Sequence, residues 1–126
     1  QAVTPDIRVA DCNFNGASAA ALVSEAYEQG VSLLVLPELC LTGYTCSDLS
    51  CRKSVGWCRK GTAYTDRGTR DKNMVVLAGL PLTVNGVLYN VAAVLHDGDI
   101  LGFVPKSYLL LIQNFMKDAL SQRCGY

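Results

Sequence analysis

The segment Leu33-Leu34-Val35-Leu36-Pro37-Glu38 constrains this chain more than any other. An aliphatic run of strand length, without polar alternation, is the pattern of a strand buried on both faces of a sheet. Pro37 cannot donate to a ladder, so the strand must open into a loop there. Glu38 therefore stands where a buried strand ends, the position from which α/β sheets present reactive groups. Gly102-Phe103-Val104-Pro105-Lys106-Ser107-Tyr108 repeats the arrangement with a cation in place of the carboxylate. An anion and a cation at two strand ends suggest two halves of one active site.

The rest of the chain supplies the sheet and its cover. Gln1-Ala2-Val3 reads as the stub of a strand. Asn13 or Asn15 can cap a helix that runs to about Gln29, with Leu22, Val23 and Ala26 on one face. Gly30 ends it. Val31 to Leu36 is a strand, and Met74 to Gly79 is another. Leu82 to Val84, Asn85-Gly86 and Val87 to Leu95 form a hairpin, since Asn-Gly is a favoured two-residue turn. Asp97-Gly98 turns the chain again before Ile100 to Val104, and His96 beside it is expected to be exposed. Strand, helix, strand and hairpins predict an α/β layered sheet.

Composition narrows the function. At 126 residues the chain holds one domain at most, and at 50% hydrophobic residues it can build a real core. Eleven Lys and Arg balance eleven Asp and Glu, so no bulk field draws in nucleic acid or an anionic membrane. No apolar run approaches the ~18 residues that span a bilayer, and none reads as a signal segment. Six cysteines could form a disulfide framework. With no other secretory feature, reduced thiols and a cytoplasmic location are expected. Cys40, Cys46, Cys51 and Cys58 lack the tight pairs of a structural zinc site, so no metal is expected.

Particular residues carry a resemblance: Thr4-Pro5, Val9-Ala10-Asp11, Asn15, the run from Pro37 through Thr42-Gly43-Tyr44 to Cys46, Gly79-Leu80-Pro81, Asn85-Gly86, Leu88 to Val94 and Val104-Pro105-Lys106. The chain resembles the nitrilase superfamily of carbon–nitrogen hydrolases, and most closely the glutaminase domain of glutamine-dependent NAD synthetases. The resemblance implies a nitrilase-like four-layer α-β-β-α sandwich. The fold is expected to be incomplete here, without its first strand and C-terminal half. It also implies amide hydrolysis by a Glu, a Lys and a Cys. The thiolate attacks the amide carbon and releases ammonia through a thioester. A carboxylate moves the protons, and burial that raises its pKa suits it to that work. A cation stabilises the oxyanion. Glu38 matches the carboxylate, Lys106 the cation, and Tyr44 a residue of the glutamine pocket. The bland rivals are a solvated carboxylate, a surface lysine and a packing aromatic. No Cys-Glu-Asp context follows Lys106, so no nucleophile is assigned, and Cys40 and Cys46 read as small apolar fillers.

Two segments depart from the resemblance. Residues 50–69 hold Cys, Arg, Gly and Trp without a 3.6 period, where an amphipathic helix is expected. Residues 109–126 lose the pattern again. Reading one base forward from Ser50 permits Leu-Ala-Glu-Ser-Leu-Leu-Ala-Gly-Ala-Glu-Lys-Ala-Leu-Leu-Thr-Leu-Ile-Glu-Glu, a strong amphipathic helix. Reading two bases forward from Leu109 permits Pro-Thr-Tyr-Pro-Glu-Phe-Tyr-Glu-Arg-Arg, a continuation like that of the family. Compensating sequence errors are therefore expected over 50 to about 69, and a further shift after about Leu109.

The resemblance leaves two classes of function. As an enzyme, the intact protein hydrolyses glutamine and passes ammonia to a synthetase domain of the same protein, which amidates deamido-NAD with ATP and Mg. The amidase part needs no cofactor, a homo-oligomer is expected, and the fragment alone is expected to be inactive. A stand-alone nitrilase-type amidase is the lesser enzyme alternative. As a non-catalytic protein, the chain is a truncated module that only packs against partners.

Overall fold

The computed structural model describes residues 1–43, 62–63, 65–85 and 87–107. Helix α1 spans Cys12–Glu28. Among the described residues four strands follow: β1 (Leu33–Val35), β2 (Val75–Val84), β3 (Val87–His96) and β4 (Asp99–Pro105). They form one sheet in the order β1-β2-β3-β4. β1 pairs parallel with β2, while β2 with β3 and β3 with β4 are antiparallel. The strand stub expected at the start forms a single parallel bridge, Ala2 with Val35.

Local chemistry explains the ends of α1. The cap is Asp11, whose carboxylate accepts the Phe14 N–H at 3.0 Å. Asn13 and Asn15, expected as caps, lie inside the helix instead. Asn15 is buried because it has another task. It accepts the Arg8 N–H at 2.7 Å and donates to the carbonyls of Arg8 and Leu41 at 2.8 and 3.1 Å. All of these partners are backbone groups of the two loops beside the helix, so burying the amide leaves few of its groups unpaired. At the other end Gly30 adopts φ +76°. Its N–H reaches Tyr27 O, and that of Val31 reaches Ala26 O, at 2.9 and 3.0 Å. These two crossed bonds are the left-handed glycine stop expected from the sequence.

Cys12, Asn15, Ala19, Val23 and Ala26 repeat at helical spacing on the buried face of α1, with Leu22 half-buried beside it. They share a core with Leu34, Val76, Ala78, Leu80, Val91, Ala93 and Leu95. In each strand these sheet residues alternate with outward ones, so α1 covers one face. The other face is open among the described residues. Leu33 and Val35 are 48% and 40% exposed, and Val104 is 59% exposed. The expectation of a strand buried on both faces thus holds only on the α1 side, for Leu34 and Leu36. A sheet with a parallel pair is normally covered on both sides. The described residues build one helical layer and one sheet layer of the expected four.

Three sheet details differ from the sequence reading. The segments expected as separate strands at Met74–Gly79 and Leu82–Val84 are one strand, β2, running through Pro81. β1 accompanies β2 only as far as Leu77, so Pro81 sits on a free edge where no N–H is needed. Asn85 and Asp97 take φ +51° and +49°, as two-residue hairpin turns require. His96, expected to be exposed, is half-buried as the last residue of β3, with Nδ1 3.0 Å from Met74 O.

Residues 62–63 and 65–69 are helical, although their sequence has no apolar helical period. The inward face is polar: Thr62, Thr65 and Thr69 are all buried. A Cβ on Gly68 would lie 3.1 Å from that of Ala20, so this helix rests closely on α1. Asp66 Oδ1 is buried without a hydrogen-bond partner. Burial, then repulsion from Asp99, pushes the Asp66 carboxyl up. The remaining residues of 50–69, and 109–126, lie outside the described residues.

Candidate active site

The outward face of the sheet presents a groove of ≈330 Å³ at the ends of β1 and β4 and over the middle of β3. Its floor is apolar, with Val35, Leu77, Ala92 and Val104. Three polar side chains converge on it: Glu38, Asn90 and Lys106. Convergent polar groups over an apolar floor are the usual build of a small-molecule site.

Glu38 follows β1 by three residues, in a turn that folds back on itself. Gly43 N and Thr42 N both bond to Leu39 O, at 2.8 and 3.1 Å, and Leu39 takes φ +52°. The turn lies directly on β2 at Gly79. A Cβ there would sit 2.6 Å from Pro37 O and Leu39 N, and 2.7 Å from the Glu38 Cα. Only glycine permits this approach. Leu41 N and the Cys40 thiol both reach Gly79 O, at 3.4 and 3.5 Å, and hold the turn down.

Lys106 follows β4 directly, and its backbone N–H donates to Asn90 O at 2.8 Å. Its Nζ lies 2.6 Å from Glu38 Oε1. Asn90 Nδ2 donates to the same carboxylate oxygen. The structure therefore brings Glu38 and Lys106 together on one face, as their strand-end positions suggest. The pair is about one-third exposed, Lys106 37% and Glu38 32%. An ion pair so placed adds on the order of 1 kcal/mol or less to stability, so holding the fold together is a weak reason for it. Tyr44 lies outside the described residues.

Cys40 is no nucleophile. It is 1% exposed, and burial pushes its thiol up to about 11, so almost none is thiolate near neutral pH. It is the apolar filler that the sequence suggests. Cys46, Cys51, Cys58 and Cys124 lie outside the described residues. Among the described residues, no group of three or more His, Cys, Asp or Glu could hold a metal ion, and no helix is long and apolar enough to cross a membrane.

Sequence reasoning missed two residues of this site. Gly79 was visible only as part of a motif, because its role depends on a loop far away in sequence. Asn90 had a signal: it alternates with Ala92 and Val94 on the outward face of β3.

Comparison with known proteins places these features in a wider group. The carbon-nitrogen hydrolase family profile matches residues 2–118. A glutamine-dependent NAD(+) synthetase of Mycobacterium bovis is 34% identical over 116 residues, 90% of this chain and 17% of its own. The crystal structure of a glutamine-dependent NAD(+) synthetase from Cytophaga hutchinsonii superimposes with a TM-score of 0.78 at 27% identity, covering 86% of this chain and 18% of that one. An amidase from Nesterenkonia sp. shares the fold, with a TM-score of 0.74 at 23% identity over 86% of this chain and 42% of its own. The chain thus spans about a fifth or less of the synthetases that it matches.

Proposed function

The chain belongs to the carbon-nitrogen hydrolase family, and on that premise we propose that it is part of a glutamine-hydrolysing domain that supplies ammonia for NAD synthesis. The observation that carries this reading is the 2.6 Å contact between Glu38 Oε1 and Lys106 Nζ at the rim of an apolar groove. In this reading the groove takes the glutamine side chain, and Tyr44 helps to bind it. Glu38 accepts the proton of a thiol that attacks the amide carbon, then passes a proton to the departing ammonia. Lys106 stabilises the oxyanion of each tetrahedral intermediate. The thiol comes from a later strand of the intact protein. The nitrilase fold suits this division of labour, because separate strand ends deliver each group to one groove.

The product ammonia passes to a synthetase domain of the same protein, which converts deamido-NAD to NAD. ATP and Mg serve that second domain, and no step at Glu38 involves them. The whole-protein activity rests on the likeness to the synthetases named above.

The test is Glu38→Gln in the intact protein. The substitution preserves size and removes the base. Ammonia release from glutamine should fall on the order of 10²- to 10⁴-fold. Synthesis driven by added ammonia should stay at the wild-type rate. Loss of both activities together would mean that Glu38 supports the fold and not the chemistry.

A further inference from the structure

We infer that Asn90 is the positioning residue of this site, which ties Glu38 and Lys106 into one unit. The inference rests on the reading of Glu38 as the base. Asn90 sits on β3, opposite Pro81 of β2, and Lys106 continues the β4 pairing just beyond Val91–Pro105. It acts through two different groups. Its backbone carbonyl accepts the Lys106 N–H at 2.8 Å, which sets where the lysine leaves the sheet. Its side-chain amide donates to Glu38 Oε1, the oxygen that also receives Lys106 Nζ.

The residue type fits this task. The site needs a donor of fixed length, without charge, on the outward face of a strand. A carboxamide supplies two N–H groups and cannot titrate. Two χ angles and a strand backbone leave it little freedom. Glu38 rides on a turn, and Lys106 is a long chain just past a strand end. Asn90, by contrast, lies in a strand paired on both sides. The strand residue therefore fixes two side chains that stand beyond strand ends. A donor on the carboxylate also favours its ionised form. Asn90 thus holds Glu38 in place before substrate arrives, as a preorganised base requires.

The experiment compares Asn90→Ala, Asn90→Asp and Glu38→Gln in the intact protein. The readouts are kcat and kcat/KM for glutamine across pH, ammonia-driven synthesis, and the thermal midpoint. Asn90→Ala should lower kcat on the order of 10²-fold, as misplacement of a catalytic group does. The acidic limb of the profile should move up by about one pH unit, because the lost donor had favoured the carboxylate. Asn90→Asp keeps the shape and adds a like charge beside Glu38, so that limb should move up further. A role in strand packing alone would lower the midpoint without moving the limb, and that result overturns the inference. If Glu38→Gln is inactive while both Asn90 variants keep the wild-type profile, Asn90 positions nothing and the reading of Glu38 stands. If Glu38→Gln remains active, both fall together.

Discussion

Gly79→Ala should displace the turn that carries Glu38 without touching any side chain of the site. The added Cβ would lie 2.6 Å from Pro37 O and from Leu39 N, and 2.7 Å from the Glu38 Cα. All three are backbone atoms, so no rotamer change relieves the clash. Ordinary contact begins at 3.4 Å, so the turn must lift by about 0.8 Å from its present place on β2. The Leu41 N–H bond to Gly79 O, at 3.4 Å, already stands at the long limit and has no slack. Overpacking of this kind costs about 1–3 kcal/mol. The same lift carries Glu38 away from Lys106 Nζ, now 2.6 Å off. A misplacement near 1 Å can slow catalysis on the order of 10²-fold. The assay is steady-state ammonia release from glutamine by the intact protein, with ammonia-driven synthesis as internal control and urea unfolding for stability. A lower midpoint with a selective loss of glutamine use is expected. Wild-type stability and rate would refute the reasoning, since the turn could then not rest on Gly79.

Other outcomes follow from the same geometry. The Cys40 thiol is pushed from 9.0 to about 11, so the folded state holds its proton more tightly than the unfolded state. Its contribution is complete below pH 9 and is lost towards pH 11, by roughly 3 kcal/mol; the difference in urea midpoint between wild type and Cys40→Ala should shrink over that window, and a pH-independent difference would count against it. Asn15→Ala should cost about 1–3 kcal/mol by leaving the buried Leu41 carbonyl and the part-buried backbone groups of Arg8 without their partner, read as a shift in thermal midpoint. Resequenced coding DNA should differ by a compensating single-base insertion and deletion near Ser50 and Thr69. In the shifted frame the buried Thr62, Thr65 and Thr69 can each become Leu, and Asp66 becomes Ile or Thr, which removes the unpartnered carboxylate oxygen from the helix interior. A clean resequencing of the present frame would refute this.

Much of the architecture was legible because it depends on local signals. Gly30 stops α1, and Asn85 and Asp97-Gly98 turn the hairpins, since left-handed backbone has few compatible residues. The helix start was misplaced because Asp11, Asn13 and Asn15 all suit a cap in isolation. Only the neighbouring loops decided that Asn15 should be buried as their tie. The sequence breaks the strand at Leu80-Pro81, because the short reach of β1 beside β2 cannot be read from residue types.

By itself the sequence determined that an anion and a cation would stand at the ends of two strands, in the pattern of a carbon-nitrogen hydrolase. The strand propensities and punctuating prolines are properties of neighbouring residues, so they survive without a fold. Tertiary structure decided that Glu38, Asn90 and Lys106 meet on the face away from α1. That meeting depends on the register of three strands and on the missing side chain of Gly79 beneath the turn. Register is set by how the sheet packs as a whole, because a one-residue slip would turn Asn90 to the opposite face.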